Sequence, residues 1–190
     1  LKKYNIIYAD PPWHFNFKNR KGLSQLAKDR LYPTMEPKDI IALDVGKLAY
    51  DDCILFLWAI NSEIPLALNC IKSWGFKYKT VAFVWVKTTV NGKYFFGGGN
   101  WTRSNPEICL LATKGKPKRL SASVRNLCVS EIREHSRKPD KVRMDIVKLC
   151  GDLPRVELFC RYPEAGWDVW GNEVESNVYL SPTRNILNET

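Results

Sequence analysis

The sequence predicts an α/β fold, and three observations carry that prediction. Apolar runs of strand length recur along the chain. Segments with helical spacing lie between some of them. Each run stops at a proline, a glycine or a charged cluster instead of growing into a longer helix.

The elements follow in order. Residues 4–9 form a short β-rich run ended by Asp10-Pro11-Pro12, which cannot continue a central strand. Residues 14–36 are polar and basic and read as a long loop. Pro37 to Asp44 reads as a short helix. Residues 53–59 are almost continuously apolar, as strands buried on both faces are. A helix follows, with Asn61 or Ser62 available as cap, Leu66, Cys70 and Ile71 on one face and Gly75 as its stop. Residues 80–86 and 108–113 read as strands. Between them, residues 87–106 contain Gly97-Gly98-Gly99 and no periodicity, so they read as a second flexible loop. Pro139 suits the first turn of a helix carrying Val142, Ile146 and Leu149 on one stripe and ending at Gly151. Residues 155–160 and 167–171 read as strands. The 190 residues fit one domain, taken as 1–175 with both loops over its site, and residues 176–190 are read as a tail.

Composition narrows the function classes. Hydrophobic residues are 45% and charged residues 26%, as in globular proteins rather than disordered ones. No apolar run approaches the roughly 20 residues needed to cross a bilayer, and the first apolar stretch runs directly into the Pro-Pro turn. An intracellular protein without a membrane partner is therefore expected. The six cysteines form no Cys-x-x-Cys pair and only two histidines are present, so no metal site is expected. Most of the cysteines stand among apolar residues, where a reduced thiol behaves as a small hydrophobe.

The net charge of +9 is uneven. Lys18, Arg20, Lys21, Lys28 and Arg30 form one basic cluster. Lys114, Lys116, Lys118, Arg119 and Arg125 form a second. Arg133, Arg137, Lys138, Lys141 and Arg143 form a third. Such clusters suit a phosphate backbone; a solvated basic surface is the alternative. In the second loop Lys87, Lys93 and Arg103 stand beside Tyr94, Phe95, Phe96 and Trp101, a mixture that suits gripped phosphates and stacked bases. Lys18, Arg20, Lys21, Lys93, Trp101 and Arg103 are the candidate nucleic-acid contacts.

The motif that carries chemistry is Asp10-Pro11-Pro12-Trp13, placed directly after the first strand, where open α/β sheets build their sites. An exocyclic base amine such as adenine N6 is a poor nucleophile, because its lone pair is delocalised into the ring. The Asp10 carboxylate and the Pro11 carbonyl could accept its two N–H bonds and localise that lone pair. The prolines, with φ fixed at about −65°, would stiffen the acceptors. Trp13 would offer a face on which an extruded base stacks, worth roughly 1–3 kcal/mol. A plain strand-ending turn with a core Trp is the alternative.

The chain resembles the MT-A70 family of N6-adenine methyltransferases, over about residues 4–175. The resemblance rests on the Asp10–Trp13 motif together with residues 56–59 (FLWA), 74–76 (WGF), 84–87 (VWVK), 105–115 (NPEICLLATKG), 136–140 (SRKPD), 156–161 (VELFCR) and 166–173 (GWDVWGNE), in shared order and spacing. It implies a Rossmann-like class I methyltransferase fold, a mostly parallel sheet flanked by helices, in which the catalytic motif comes first and much of the cofactor site last. It implies S-adenosylmethionine as cofactor. Asp10 would touch both the cofactor's amino-acid end and the adenine. Lys138 would hold the cofactor carboxylate, Arg161 and Asn172 would contact the ribose hydroxyls, and Glu173 occupies the adjacent position. Glu157 matches the family strand or merely pairs with a nearby base. The implied activity is methylation of adenine N6 in DNA, in the cytoplasm of a bacterial or phage-infected cell, with a homodimer or a related partner subunit left open. An RNA adenosine methyltransferase is the alternative enzyme. A catalytically silent nucleic-acid-binding subunit is the alternative of another class, against which the presence of Asp10 and Trp13 counts.

Overall fold

A computed structural model describes residues 1–13, 35–99, 101–133 and 137–180. Seven strands form one sheet: β1 (Tyr4–Ala9), β2 (Ala49–Ala59), β3 (Lys77–Thr88), β4 (Glu107–Lys114), β5 (Leu127–Glu131), β6 (Arg155–Leu158) and β7 (Asp168–Trp170). Their order is β5-β3-β4-β2-β1-β6-β7. β1 pairs in parallel with β2 and with β6, β6 with β7, and β3 with β5. β4 alone runs the other way, antiparallel to both β2 and β3. The sheet is therefore mostly parallel, as the sequence predicts. From β1 the chain continues on one side into β2, while β6 and β7 return on the other. The β1–β6 crevice is thus the topological switch point, where such sheets bind ligands beyond the carboxyl ends of their strands.

Both faces of the sheet are covered, which explains the nearly continuous apolar run of β2. Leu55, Leu57 and Ala59 enter a core shared with helix α1 (Pro37–Ile41) and helix α2 (Ile64–Ser73), through Ile40, Ala67, Cys70, Ile71 and Trp74. Ile54, Phe56 and Trp58 point the other way, into a second core with Val142, Ile146 and Cys150 of helix α3 (Asp140–Cys150). α2 ends as its sequence indicates: Gly75 takes φ 81°, the Phe76 N–H donates to the Ile71 carbonyl and the Gly75 N–H to the Lys72 carbonyl. Its start differs from the expectation. A 3-10 turn over Asn61–Glu63 precedes it, and no side chain caps it. All six cysteines are buried, and burial pushes the thiols of Cys53, Cys70, Cys150 and Cys160 up to about 12.

Three expectations change. β5 was not foreseen, because its alternation of exposed Leu127 and Val129 with buried Cys128 is short and set in a polar stretch. The boundary at residue 175 falls too early: Val178 is buried in the first core, and Asn177 donates its N–H to the Val169 carbonyl while its side-chain oxygen accepts the Val169 N–H. Residues 87–106, read as a flexible loop, form a hydrogen-bonded projection over the described residues 88–99 and 101–104. The Phe95 N–H donates to the Lys87 carbonyl, Gly97 to Ser104 and Ser104 to Gly98. Its glycines close the structure rather than loosen it, since a Cβ on Gly97 would lie 2.1 Å from the Ser104 carbonyl oxygen and one on Gly99 1.9 Å from that of Thr102. Among the described residues no helix is long and apolar enough to cross a membrane.

Candidate active site

The first strand delivers Asp10 to the crevice. The Asp10 N–H donates to the Leu158 carbonyl at the end of β6 (3.4 Å), which ties the two strand ends together. Beyond it the chain turns sharply: the Pro11 carbonyl accepts the Trp13 N–H (2.8 Å) and the Pro12 carbonyl accepts the Met35 N–H (3.2 Å). The Pro11 carbonyl keeps its second lone pair for another donor. Trp13 differs from the stacking face expected of it. It is only 4% exposed, lies in the core and donates its indole N–H to the Trp58 carbonyl (3.0 Å). Its aromatic bulk anchors the turn from below.

Four charges of alternating sign line the sheet edge. The Lys138 ammonium lies 2.6 Å from the Asp10 carboxylate and 3.2 Å from that of Glu107; Glu107 in turn is 2.5 Å from Lys87. The four side chains are only 9–20% exposed. Lys138 also stands over the Trp58 ring, 5.4 Å from its centroid. Burial pushes Asp10 above its ordinary value and Glu107 adds to this, against the lowering influence of Lys138 and Arg161. Burial alone would depress Lys138, but the carboxylates of Asp10 and Glu107 outweigh it and hold the ammonium above its ordinary value. Burial would also raise Glu107, yet Lys138 and Lys87 together bring it below the usual range. The result is a fixed ammonium and a part-buried carboxylate, side by side at a parallel strand end.

The other predicted residues fall into groups. Arg161 follows β6 and its charge acts on Asp10, so Asp10, Lys138 and Arg161 converge. Asn172 and Glu173 are exposed just after β7, the strand beside β6. Glu157 has a plain partner: Arg143 of α3 grips it through two bonds of 2.7 Å. Lys93, Trp101 and Arg103 all lie exposed on the 88–104 projection, with Arg103 4.9 Å over the Phe96 ring. Lys18, Arg20, Lys21, Lys28 and Arg30 lie outside the described residues. Lys114 of the second basic cluster sits away from the site, because antiparallel β4 starts beside the site at Glu107 and ends at Lys114 at the far edge. The third is partly neutralised within itself, since Arg133, Arg137 and Arg143 all pair with Asp140.

Sequence reasoning gave no role to Glu107 or Asn105, and read Lys87 as one of the second loop's phosphate-gripping cations, whereas its ammonium is engaged by Glu107. Asn105 fastens the projection: it accepts the Lys87 N–H (2.9 Å) and donates to the carbonyls of Lys87 (2.8 Å) and Phe95 (2.7 Å). The available signal was a charged residue at the end of each of two apolar strands, facing each other only once the antiparallel pairing is known. Phe159 was missed as well. It takes φ 62°, unfavourable for a bulky residue, where the chain leaves β6 for Cys160 and Arg161. No sequence feature announces that kink.

The MT-A70 family model matches residues 4–173. The chain is 36% identical over 204 aligned positions to the type II methyltransferase M.MunI of a Mycoplasma species, covering 99% of this chain and 85% of that protein. It is 29% identical to the N(6)-adenosine-methyltransferase MT-A70-like protein of Drosophila melanogaster, covering 96% of this chain and 29% of that protein. It is 28% identical to human N(6)-adenosine-methyltransferase catalytic subunit METTL3, covering 96% of this chain and 30% of that protein. The chain thus spans nearly the whole of the first relative and under a third of the other two. With a family match over almost its entire length, on a sheet whose switch point carries the Asp-Pro-Pro-Trp turn, this chain belongs to the MT-A70 family.

Proposed function

We propose that the protein transfers the methyl group of S-adenosylmethionine to the N6 amine of adenine in DNA. The observation that carries this reading is the part-buried Asp10–Lys138 pair at the β1–β6 switch point, beside a backbone carbonyl with a free lone pair. S-adenosylmethionine is the methyl donor of the family. Its amino-acid end is a zwitterion, and a carboxylate 2.6 Å from an ammonium offers the complementary pair of charges. The donor, once bound, supplies a methyl group already activated by the sulfonium.

The chain's own residues do the rest by positioning. Lys138 holds a carboxylate, and Arg161, Asn172 and Glu173 offer polar groups at the neighbouring strand ends. Asp10 and the Pro11 carbonyl accept the two N–H bonds of the amine, concentrating its lone pair on the face turned to the methyl group. Asp10 also stabilises the positive charge that develops on nitrogen. The proton on the methylated N6 is far more acidic than that of an ordinary ammonium, because its loss restores conjugation of the lone pair with the ring, so it passes to solvent after transfer without a strong base. Trp13, buried under the turn, keeps these acceptors in place. Lys93, Trp101 and Arg103 on the projection engage the nucleic acid.

DNA is favoured over RNA because the chain is 36% identical to a type II methyltransferase, against 29% and 28% to the two N(6)-adenosine-methyltransferases. The same reading puts the protein in the cytoplasm, where a bacterial or phage genome is methylated. Incubation with labelled S-adenosylmethionine and, separately, duplex DNA, single-stranded DNA and RNA tests the choice. Label in DNA is expected; label confined to RNA would turn the reading to the RNA enzyme.

A further inference from the structure

The reaction needs Asp10 free to face the amine, yet the structure binds it to Lys138. An ammonium in a crevice this enclosed needs a carboxylate partner, and with Asp10 as its single partner Lys138 would hold that carboxylate firmly. Glu107 is the second partner, 3.2 Å from Lys138 against 2.6 Å for Asp10. Glu107 is itself fixed from behind. Lys87 pairs with its other oxygen, and Asn105 grips both the N–H and the carbonyl of Lys87. Glu107 and Lys87 stand on neighbouring antiparallel strands, so the pair is held by the sheet and not by a loop.

We infer that Glu107, fixed by Lys87, is a positioning residue that takes over the Lys138 ammonium when Asp10 turns to the substrate amine. This rests on the proposed role of Asp10 as the amine's acceptor. Without Glu107, the Lys138 ammonium that holds the cofactor carboxylate would lean more on Asp10, and the Asp10 carboxylate would be both less available and a weaker acceptor. Lys87 tunes the exchange from the other side, because its charge draws Glu107 away from Lys138.

The charged groups around Asp10 fix the direction of the pH effect. Lys138 from the segment before α3 and Arg161 after β6 lower its pKa; Glu107 at the start of β4 raises it. Asp10 in turn acts on Cys109 of β4 and on Glu157 of β6. Removing the negative charge at 107 therefore makes Asp10 more acidic, and removing the positive charge at 87 makes it less so.

The test compares Glu107→Gln, Lys87→Met and wild type in two ways. Carbon-13 NMR of the Asp10 carboxyl in the free protein needs neither cofactor nor activity. Its midpoint should move to lower pH in Glu107→Gln and to higher pH in Lys87→Met. In steady-state assays Glu107→Gln should lose about tenfold or more in kcat, with the acid limb of its profile displaced the same way as the NMR midpoint. Affinity for S-adenosylhomocysteine should stay within about twofold, since Lys138 and its charge remain. A residue with a merely structural role would lower stability in both variants and displace neither midpoint. An unmoved Asp10 midpoint, or a wild-type kcat in Glu107→Gln, overturns the proposal while wild-type transfer to DNA leaves the functional reading standing. Wild-type protein inactive on every nucleic acid defeats both.

Discussion

At the scale of single residues, Asp10 carries the chemistry and its environment sets when it works. The acceptor form is the carboxylate, which is lost as pH falls through the folded pKa. Burial places that pKa above the ordinary aspartate value, so transfer should begin to fail at a higher pH than an ordinary aspartate would dictate. A profile of kcat/KM against pH checks this; an acid limb at or below the ordinary aspartate value would contradict it. Asp10→Asn keeps the shape and removes the charge, and should cost on the order of a hundredfold or more in kcat. Arg143 offers the contrasting case of a charge that serves structure. It and Glu157 are 7% and 6% exposed and share two short bonds, so Arg143→Met leaves a buried carboxylate without its cation. A loss of about 3–5 kcal/mol in denaturant unfolding is expected, reduced to the extent that Glu157, already pushed up by burial, takes a proton. A loss under about 1 kcal/mol would show that the pair does not hold α3 to β6. Glu157 illustrates what a sequence leaves open at this scale: family position and a plain ion pair were equally consistent with it until Arg143 was placed across from it.

At the scale of elements, the 88–104 projection is where the nucleic-acid reading stands or falls. Gly97 and Gly99 permit two backbone segments to touch, and that contact presents Trp101 and Arg103 to solvent. In Gly97→Ala the new Cβ must displace the Ser104 carbonyl, breaking the two bonds that close the turn. The Michaelis constant for nucleic acid should then rise, by the equivalent of roughly 1–3 kcal/mol if base stacking on Trp101 is lost. Cofactor affinity should not change, because Lys138 and Arg161 lie on other segments. An unchanged Michaelis constant would remove the projection from the substrate surface. The sequence placed its aromatic and basic residues correctly side by side, but three consecutive glycines read as looseness, because close backbone approach leaves no mark in periodicity. Strand and helix positions were more legible. Alternation and 3.6-residue spacing reflect burial directly, so β2, β4, β6, α2 and α3 could be found from their apolar residues alone.

At the scale of the whole molecule, strand order decides function, and strand order is what a single sequence hides most completely. Asp10 lies about a hundred residues or more from both Glu107 and Lys138, which are about thirty residues apart. They meet because β1 lies inside the sheet between β2 and β6, antiparallel β4 starts at the edge where β1 ends, and α3 begins beside it. Asp10 was legible as a site because the Pro-Pro turn stops the strand where it stands, and Lys138 through resemblance. Glu107 needed the antiparallel register. The same topology separates the basic clusters, leaving Lys114 at the far edge of the sheet and the arginines near α3 paired with Asp140. The most direct test follows the transferred atoms themselves. Wild-type protein and Asp10→Ala, both confirmed folded by their melting transitions, are incubated with S-adenosylmethionine carrying a deuterated methyl group and with duplex DNA; the DNA is then digested to nucleosides for mass spectrometry. The proposed chemistry requires deuterated methyl on adenine N6 with the wild-type protein and none with Asp10→Ala. Label on cytosine, or equal label on adenine from both proteins, would contradict it.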